Sequence, residues 1–315
     1  MRWSPGEDNT VRYVVTGAAG FIGSQLALSL QDAGHEVVGV DCFTDFYDPA
    51  EKAVNAEGID MLRLDLAEHS LELDGVDGVF HLAAQAGVRS FGEVFPVYVR
   101  RNLLATQRVC EACANTGVRL VLASSSSIYG LAERYPTPEE TAPQPISPYG
   151  ITKLGCEQLA YAYASEFGLD AVTLRYFTVY GPRQRPDMFF RRVCDALLEG
   201  GTFEIFGSGE QSRSFTYVGD AVDATIRAME GAAAGAVFNV GGGEEASMLE
   251  AIALLERLSG RSLAVRRVGS AKGDVARTCA DVSRIHHALG WRPETTLEDG
   301  LARMWSWASA KLAAG

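Results

Sequence analysis

The sequence predicts an α/β fold in which a doubly wound parallel sheet is followed by a smaller α/β region. Over the first 180 residues, short β-branched runs alternate with longer amphipathic stretches, which is the pattern of βαβ units. The early runs are continuously apolar, as strands must be in a sheet covered on both faces. The first run leads into a glycine-rich turn and a helix, which is typical of a Rossmann-type sheet.

Residues 1–180 are expected to form the first domain. Its first helix ends near Ala33, because the following Gly34 favours a helix stop. The expected strands are VRYVVTG (11–17), EVVGVD (36–41), IDMLRLD (59–65), GVFHLAA (78–84), RLVLASSS (119–126) and AVTLRYF (171–177), and longer helices are expected at 96–116 and 149–167.

Residues 181–315 are expected to form a smaller second region. A chain of 315 residues exceeds the length of about 250–300 residues at which one hydrophobic core usually stops growing. Some late elements are expected to return to the first domain. The expected elements are helices at 187–199, 219–230, 247–259 and 297–312, and the strands FEIFG and AVFNVGG.

Composition excludes several classes of protein. Forty acidic and 28 basic residues give a formal charge of −12 without a basic stripe, so nucleic acid is not an expected partner. No apolar run is long enough to cross a bilayer and the N-terminal segment is polar, which predicts a cytoplasmic protein without membrane contact. Among six cysteines only Cys110 and Cys113 are close, and they lack further metal ligands, so no metal site is predicted.

The first strand runs into the sequence G-A-A-G-F-I-G. Glycines at this spacing permit a tight turn and a close approach of the backbone to a pyrophosphate, which the N–H groups of the helix then face. The turn therefore predicts a dinucleotide site. The residues predicted to bind the cofactor here are Gly17, Gly20, Phe21, Ile22 and Gly23.

Carboxylates end the second and third strands. Asp41 follows Gly23 by 18 residues, where a carboxylate binds the free 2′-hydroxyl of NAD and repels the 2′-phosphate of NADP. The predicted cofactor is therefore NAD. Asp65, with Leu66 after it, is a candidate adenine contact or simply the end of its strand.

Tyr149 and Lys153 are four residues apart on one face of a predicted helix, after a strand that ends in serines. A tyrosine with the usual pKa of about 10 is a poor base at neutral pH, but a neighbouring ammonium and a nicotinamide cation favour its phenolate. This arrangement predicts that Tyr149 acts as the catalytic base and that Lys153 tunes it.

The chain resembles the extended short-chain dehydrogenase/reductases, and specifically their NAD-dependent nucleotide-sugar epimerases. The motifs T-G-A-A-G-F-I-G, H-L-A-A, S-S-S, Y-x-x-x-K, R-Y-F-T-V-Y-G-P and G-D-V occur in that order over nearly the whole chain. The resemblance implies that Ser125 polarises the sugar 4-oxygen, and that residues 181–315 mainly bind a nucleotide sugar. It also implies cofactor contacts at Ala83, Ala84, Ser124 and Phe177, a sugar contact at Tyr176, a diphosphate contact at Arg213 and a ribose contact at Asp274.

The positions before the Y-G of the serine strand distinguish activities within this family. Dehydratases usually carry an Asp-Glu pair there and UDP-glucuronate decarboxylases a Glu, whereas this chain has Ser126 and Ser127. A hydroxyl is too weak an acid for elimination, so oxidation and reduction at C4 are favoured. Ala271 replaces an arginine found in some members, so nucleotide binding is expected to rest more on Lys272 and Arg213.

The chain is most similar to UDP-glucuronate 4-epimerases, partly because Thr178 stands where UDP-glucose epimerases usually have Asn. The expected reaction is reversible C4 epimerisation of UDP-glucuronate to UDP-galacturonate through a 4-keto sugar. UDP-glucose epimerase, UDP-glucuronate decarboxylase and a dinucleotide-sensing regulatory protein are the alternatives. Candidate carboxylate donors are Ser125, Ser126, Ser127, Thr178, Arg89 and Arg185, and each arginine could instead form a surface ion pair or a diphosphate contact.

A homodimer is expected from the resemblance. The segments VYVRRNLLATQRVCEACANT and YGITKLGCEQLAYAYASEF carry apolar stripes at helical spacing, and family members commonly pair these helices between subunits. The alternative is that both stripes only cover the sheet.

Overall fold

The computed structural model describes residues 10–87, 91–269 and 275–314. The strands are β1 (Arg12–Thr16), β2 (Glu36–Asp41), β3 (Asp60–Arg63), β4 (Gly78–His81), β5 (Arg119–Ser125), β6 (Ala171–Tyr176), β7 (Thr178–Tyr180), β8 (Thr202–Phe206), β9 (Ser212–Tyr217), β10 (Val237–Val240), β11 (Glu245–Ser247), β12 (Ala264–Val268) and β13 (Arg277–Thr278).

The helices are α1 (Phe21–Asp32), α2 (Pro49–Asn55), α3 (Phe95–Tyr98), α4 (Ala105–Thr116), α5 (Pro148–Phe167), α6 (Phe189–Glu199), α7 (Val218–Gly231), α8 (Met248–Ser259), α9 (Ser283–Leu289) and α10 (Leu297–Ala314). A π-helical segment, Val99–Leu104, joins α3 to α4. Over the described part of the chain, no helix has both the length and the hydropathy needed to cross a bilayer.

Seven strands form a parallel sheet in the order β3-β2-β1-β4-β5-β6-β10. This is the Rossmann-type doubly wound sheet that the sequence predicts, extended by β10. Its two faces are buried in separate cores. Leu26 of α1 and Val222 of α7 lie in the core on one face, while Val109 of α4 and Ala160 of α5 lie in the core on the other.

The second half of the chain packs around its own core, which includes Phe190, Phe215 and Leu255. There β9 pairs with β7, β11 and β13, and β8 pairs with β12. Strand β10 instead joins the large sheet beside β6, and the division at residue 180 remains a prediction.

Several elements were not predicted from the sequence, for physical reasons. Strand β9 reads SRSFTY, so its buried residues include Ser214 and Thr216 and show no apolar run. Helices α2 and α9 have seven residues each, too short for a clear helical period. All six cysteines are free, and the described residues contain no cluster of potential metal ligands.

Candidate active site

A cavity of about 860 Å³ lies at the carboxyl ends of the parallel strands. It is lined by residues that follow β1 and β4, the neighbouring strands between which the strand order reverses. In open α/β sheets this point of reversal is the usual ligand site. Residues of the second half of the chain, including Phe203 and Met248, line the far end of the cavity, so both halves contribute to it.

The glycine turn is as tight as its composition indicates. Gly17 has φ +72°, which favours glycine, and a Cβ there would lie 2.8 Å from the Ala83 backbone nitrogen. A Cβ on Gly23 would lie 2.2 Å from the Gly17 carbonyl oxygen. Helix α1 begins directly after Gly20, and its first turn carries no acidic side chain. The turn and the helix N-terminus therefore suit an anion such as a pyrophosphate.

Asp41 ends β2 and lines the cavity. Its Oδ1 accepts a hydrogen bond of 2.7 Å from the Phe43 N–H, which fixes the carboxylate at the start of the following loop. The buried Lys52 of α2 lines the same part of the cavity, and its Nζ donates to the Thr44 carbonyl oxygen at 2.6 Å and to Thr44 Oγ1 at 2.8 Å. Burial lowers the pKa of Lys52, although the charge of Asp41 opposes the shift.

Asp65 lines the cavity and lies two residues beyond Arg63, the last residue of β3, so it does not end the strand; the adenine contact stays a prediction. Its Oδ1 accepts from the Ala67 N–H at 2.9 Å, and its Oδ2 lies 3.1 Å from Arg100 Nη2. Burial alone would raise the pKa of Asp65, but the Ala67 N–H and the Arg100 guanidinium hold it below its usual value.

Behind Ala83, which lines the cavity, three buried polar side chains are linked by hydrogen bonds: Thr16, His81 and Thr106. Thr16 Oγ1 accepts from the Ala83 N–H at 3.1 Å and lies 2.8 Å from His81 Nδ1. His81 Nε2 lies 3.1 Å from Thr106 Oγ1 in α4. Complete burial, with a smaller contribution from the charge of Lys153, lowers the pKa of His81 to about 3, so this ring is neutral at physiological pH.

Tyr149 and Lys153 lie at the start of α5 and line the middle of the cavity. Ser147 caps the helix by accepting from the Gly150 N–H, which fixes its first turn. Lys153 is buried and its Nζ donates to the Ala123 carbonyl oxygen at 2.8 Å, so the helix is tied to β5 beside the serines.

The serines at the end of β5 differ in their contacts. Ser125 Oγ donates to Ser127 Oγ at 3.0 Å and accepts from the Ser127 N–H at 3.2 Å. Ser124 Oγ instead donates to Glu157 Oε1 on α5. The hydroxyl of Ser124 is therefore used inside the protein, although the residue lines the cavity.

The sugar contact expected at Tyr176 stays a prediction, and the hydroxyl of this residue already has a partner inside the protein. The Tyr176 hydroxyl lies 2.6 Å from Thr225 Oγ1 of α7, on the core side of the sheet. Tyr176 is the last residue of β6 and still lines the cavity, although its hydroxyl is used in the core. Phe177 is buried against Tyr129 and lines the cavity.

Two arginines that the second half of the chain contributes to the cavity, Arg185 and Arg213, are held by other parts of the protein. The guanidinium of Arg185 is held by Asp187 through Nε to Oδ1 at 2.9 Å and Nη2 to Oδ2 at 3.0 Å. Arg213 is buried, and it donates to the carbonyl oxygens of Ser212 and Val275, each at 2.7 Å.

The cavity brings together nearly all of the residues that the sequence singled out. Arg89 and Asp274, like Ala271 and Lys272, lie outside the described residues. Those that line the cavity are Gly17, Gly20, Phe21, Ile22, Gly23, Asp41, Asp65, Leu66, Ala83, Ala84, Ser124, Ser125, Ser126, Ser127, Tyr149, Lys153, Tyr176, Phe177, Thr178, Arg185 and Arg213.

Sequence reasoning missed a second group of cavity residues. Lys52 and Arg101 add positive charge, and Arg101 Nη1 donates to Gln85 Oε1 at 2.8 Å. Behind them Asn102, in the π-helical segment, accepts from the Gln85 N–H at 2.7 Å and donates to Thr152 Oγ1 at 3.0 Å. A π-helical turn commonly marks a functional site, but its sequence carries no distinct period that could have predicted it.

The cavity differs in charge from the chain as a whole. Its described lining contains six cationic side chains and four carboxylates, although the chain has a formal charge of −12. The cations are Lys52, Arg101, Lys153, Arg185, Arg192 and Arg213, and the carboxylates are Asp41, Asp65, Asp187 and Glu204. The local excess of positive charge favours an anionic ligand.

Comparisons with known proteins agree with this geometry. A family model described as "NAD dependent epimerase/dehydratase family" matches residues 13–241. The chain is 42% identical over 310 residues to the uncharacterised UDP-glucose epimerase YtcB of Bacillus subtilis, covering 92% of this chain and 96% of that protein. It is 38% identical over 314 residues to a UDP-glucuronate 4-epimerase of Thermodesulfobacterium geofontis, covering 95% and 97%.

A solved structure shows the same fold. The crystal structure of UDP-glucuronic acid 4-epimerase from Bacillus cereus, in complex with UDP-glucuronic acid and NAD, superposes with a TM-score of 0.90. That comparison covers 96% of this chain and 100% of the other, with 38% sequence identity. The chain belongs to the NAD-dependent epimerase/dehydratase family.

Proposed function

We propose that this enzyme is a UDP-glucuronate 4-epimerase that interconverts UDP-glucuronate and UDP-galacturonate. The observation that carries the proposal is the meeting of Tyr149 and Lys153 with Ser125, Ser126 and Ser127 in one cavity of net positive charge. No carboxylate stands in the serine run to act as an acid for elimination. This favours a reaction confined to oxidation and reduction at C4.

The residues at the glycine turn and Asp41 would hold NAD, which supplies a reversible hydride acceptor for C4. Gly17 and Gly23 allow the close backbone approach that the pyrophosphate requires, and Asp41 stands at the end of β2, where it suits the ribose hydroxyls. Lys52 and Arg101 add positive charge nearby. These residues would hold the cofactor in place while the sugar changes its orientation.

Tyr149 would take the proton from the sugar 4-hydroxyl as C4 is oxidised and return it when C4 is reduced. Lys153, one helical turn away, is held by the Ala123 carbonyl and places its positive charge in the same cavity. Ser125 would donate a hydrogen bond to the 4-oxygen. The 4-keto sugar then presents its opposite face for reduction, which inverts C4 with no net redox change.

The substrate would lie with its diphosphate near Arg213 and its sugar near the serines. Thr178, Arg185 and the hydroxyls of Ser126 and Ser127 are the described donors proposed for the C6 carboxylate. Arg185 would have to share its guanidinium between Asp187 and the substrate, because Asp187 already holds its Nε and Nη2.

Product analysis tests the proposal. Purified enzyme is incubated separately with UDP-glucuronate and UDP-glucose, and the products are resolved by NMR, with Tyr149→Phe as the inactive control. We expect UDP-galacturonate from UDP-glucuronate without loss of CO₂. Conversion of UDP-glucose alone would replace the proposal with UDP-glucose epimerisation, which the similarity to YtcB makes the second candidate. Release of CO₂ as the main reaction would indicate a decarboxylase.

We propose further that the enzyme works as a cytoplasmic homodimer. Val99, Leu104 and Ile151 are exposed apolar residues on neighbouring parts of the π-helical segment and α5, and Leu103, Gly155 and Leu159 form a shallow apolar groove there. Free cysteines suit a reducing compartment. In light scattering, Leu104→Glu should yield a monomer, whereas Leu312→Glu, on the exposed face of α10, should not.

A further inference from the structure

Tyr149, Lys153 and Glu157 are ionisable side chains that follow one another at four-residue spacing in the first half of helix α5. The first two have roles in the proposed reaction, and the third has none. Residues four apart lie on one helical face. This face contacts consecutive residues of β5, since Lys153 Nζ donates to the Ala123 carbonyl oxygen and Ser124 Oγ donates to Glu157 Oε1.

Glu157 is buried, and its charge is balanced by the buried Arg175 of β6. Arg175 Nη2 lies 2.8 Å from Glu157 Oε2, and its Nε lies 3.1 Å from Oε1. Ser124 and Arg175 are paired residues of neighbouring strands, so the carboxylate of Glu157 bridges the ends of β5 and β6. Arg175 Nη1 in turn donates to the Tyr129 hydroxyl at 2.8 Å, which fixes the guanidinium.

A buried ion pair is weak evidence for stability, because two well-packed apolar residues are often at least as stabilising. The location of the Glu157 and Arg175 ion pair, directly beside Ser124, suggests a role other than stability. The next residue after Ser124 is Ser125, and neighbouring residues of a strand point to opposite sides. Holding the side chain of Ser124 towards α5 therefore determines the direction in which Ser125 points.

We propose that Glu157 is a positioning residue, which through Ser124 fixes the end of β5 so that Ser125 meets the reacting sugar oxygen opposite Tyr149. The inference rests on the proposed function, because it assigns Ser125 to the 4-oxygen. A misplacement of about 1 Å in such a site can cost about 10²-fold in rate. The main effect of losing the contact should therefore be on kcat rather than on substrate binding.

Ser124→Ala is the central test, since it removes the hydroxyl and leaves the Glu157 and Arg175 pair intact. We expect kcat to fall by about 10–100-fold, while KM for UDP-glucuronate and the content of bound NAD change by less than about twofold. Ser124→Thr keeps a hydroxyl and should restore most of the rate. In the double variant with Glu157→Gln, the loss should be much smaller than the product of the two single losses, because both changes break one chain of contacts.

The matched control is the ion pair of Arg119 and Asp170, which joins the opposite ends of the same two strands. Arg119 Nη1 lies 2.9 Å from Asp170 Oδ2. Asp170→Asn should lower Tm and leave kcat unchanged. A wild-type kcat in Ser124→Ala would overturn the proposal. A loss of rate that parallels a loss of bound NAD would also overturn it, because Ser124 would then be a cofactor ligand.

A crystal structure of Ser124→Ala separates this inference from the proposed function. The Ser125 hydroxyl should move by about 1 Å or change rotamer, whichever UDP-sugar the wild-type enzyme turns over. An unmoved Ser125 would overturn the positioning role of Glu157. Failure of the wild-type enzyme to epimerise UDP-glucuronate would overturn only the choice of substrate.

Discussion

Glu51 of α2 forms an ion pair with the buried Arg191 of α6, with Arg191 Nη1 3.2 Å from Glu51 Oε2. Lys311 of α10 completes the cluster, with its Nζ 2.7 Å from Glu51 Oε1. The segment that includes α2 also carries Thr44, Phe46, Tyr47 and Lys52 into the cavity lining. The cluster therefore connects the segment that contains α2, which lines the cavity, to helices α6 and α10 in the second half of the chain.

Glu51→Gln should destabilise the protein by about 1 kcal/mol at pH 7, since a partly exposed ion pair contributes about that much. Burial alone would raise the pKa of Glu51, but Lys311 and Arg191 hold it below its usual value. A lowered folded-state pKa gives stability that is present above the unfolded pKa and is lost as pH falls through the folded pKa.

Urea unfolding at several pH values measures this dependence. The difference between wild type and Glu51→Gln should be full at pH 7. It should begin to shrink only as pH falls to about 4.3, the reference value for Glu, and should vanish below the lowered pKa that Glu51 has in the folded state. Glu36→Gln is the control, because Glu36 forms an exposed ion pair with Arg12 at 3.4 Å. If the two variants behave alike, Glu51 does not act as a tie between the two halves.

The parts of the site that could be predicted are local in sequence. The turn at Gly17 and the helical spacing of Tyr149 and Lys153 each lie within a few residues, and each follows a strand that the apolar pattern reveals. The large sheet brings these segments to one edge, as parallel strands must. Fold class and the centre of the site therefore follow from the sequence.

The remaining contacts depend on chain segments that are distant in sequence. Lys52 reaches the cavity from a seven-residue helix and Arg101 from the π-helical segment, and neither segment has a clear helical period. The family resemblance assigns Tyr176 to the sugar, whereas the structure shows that its hydroxyl lies against Thr225 in the core. To assign a residue to a ligand, one must know where its side chain points, and a sequence motif does not give that direction.

Tyr149→Phe should lower turnover by about 10²–10⁴-fold, the usual contribution of a positioned acid or base. Folding and NAD binding should be retained, since the substitution removes one hydroxyl from the cavity wall. Initial rates, Tm and bound NAD are the measurements. The control is Tyr161→Phe on the same helix, whose tyrosine is 73% exposed. Retention of more than about a tenth of the wild-type rate would remove Tyr149 from the role of base.

NAD should be strongly preferred over NADP, because Asp41 would face the 2′-phosphate and the adjacent Cys42 offers no positive charge. Lys52 does lie nearby, but two of its N–H groups are bound to Thr44. Reconstitution of apoenzyme with each cofactor, followed by titration of binding, measures the preference. Asp41→Asn should weaken the preference, whereas Asp65→Asn should not, since Asp65 is held by Arg100 and Ala67. Equal binding of both cofactors by the wild type would contradict the role of Asp41.

The final prediction concerns the β-keto acid that forms when UDP-glucuronate is oxidised at C4. Such an acid loses CO₂ when the bond from C5 to the carboxylate stands perpendicular to the carbonyl plane and overlaps its π system. An epimerase must prevent this alignment. Several short donors, namely Ser125, Ser126, Ser127 and Thr178, together with Arg185, would hold the carboxylate near the carbonyl plane.

Thr178→Ala and Arg185→Ala should therefore reduce turnover of UDP-glucuronate much more than any turnover of UDP-glucose, and should release some UDP-4-keto-pentose. Asp187 and Arg185 are joined by two hydrogen bonds, so the arginine variant also leaves the negative charge of Asp187 unbalanced beside an anionic substrate and should show the larger loss. Arg227→Ala is the control, since Arg227 pairs with Asp223 on the exposed surface of α7 at 2.9 Å. NMR of the products with both substrates is the measurement. An equal loss on both substrates without any decarboxylated product would show that these residues do not hold the carboxylate.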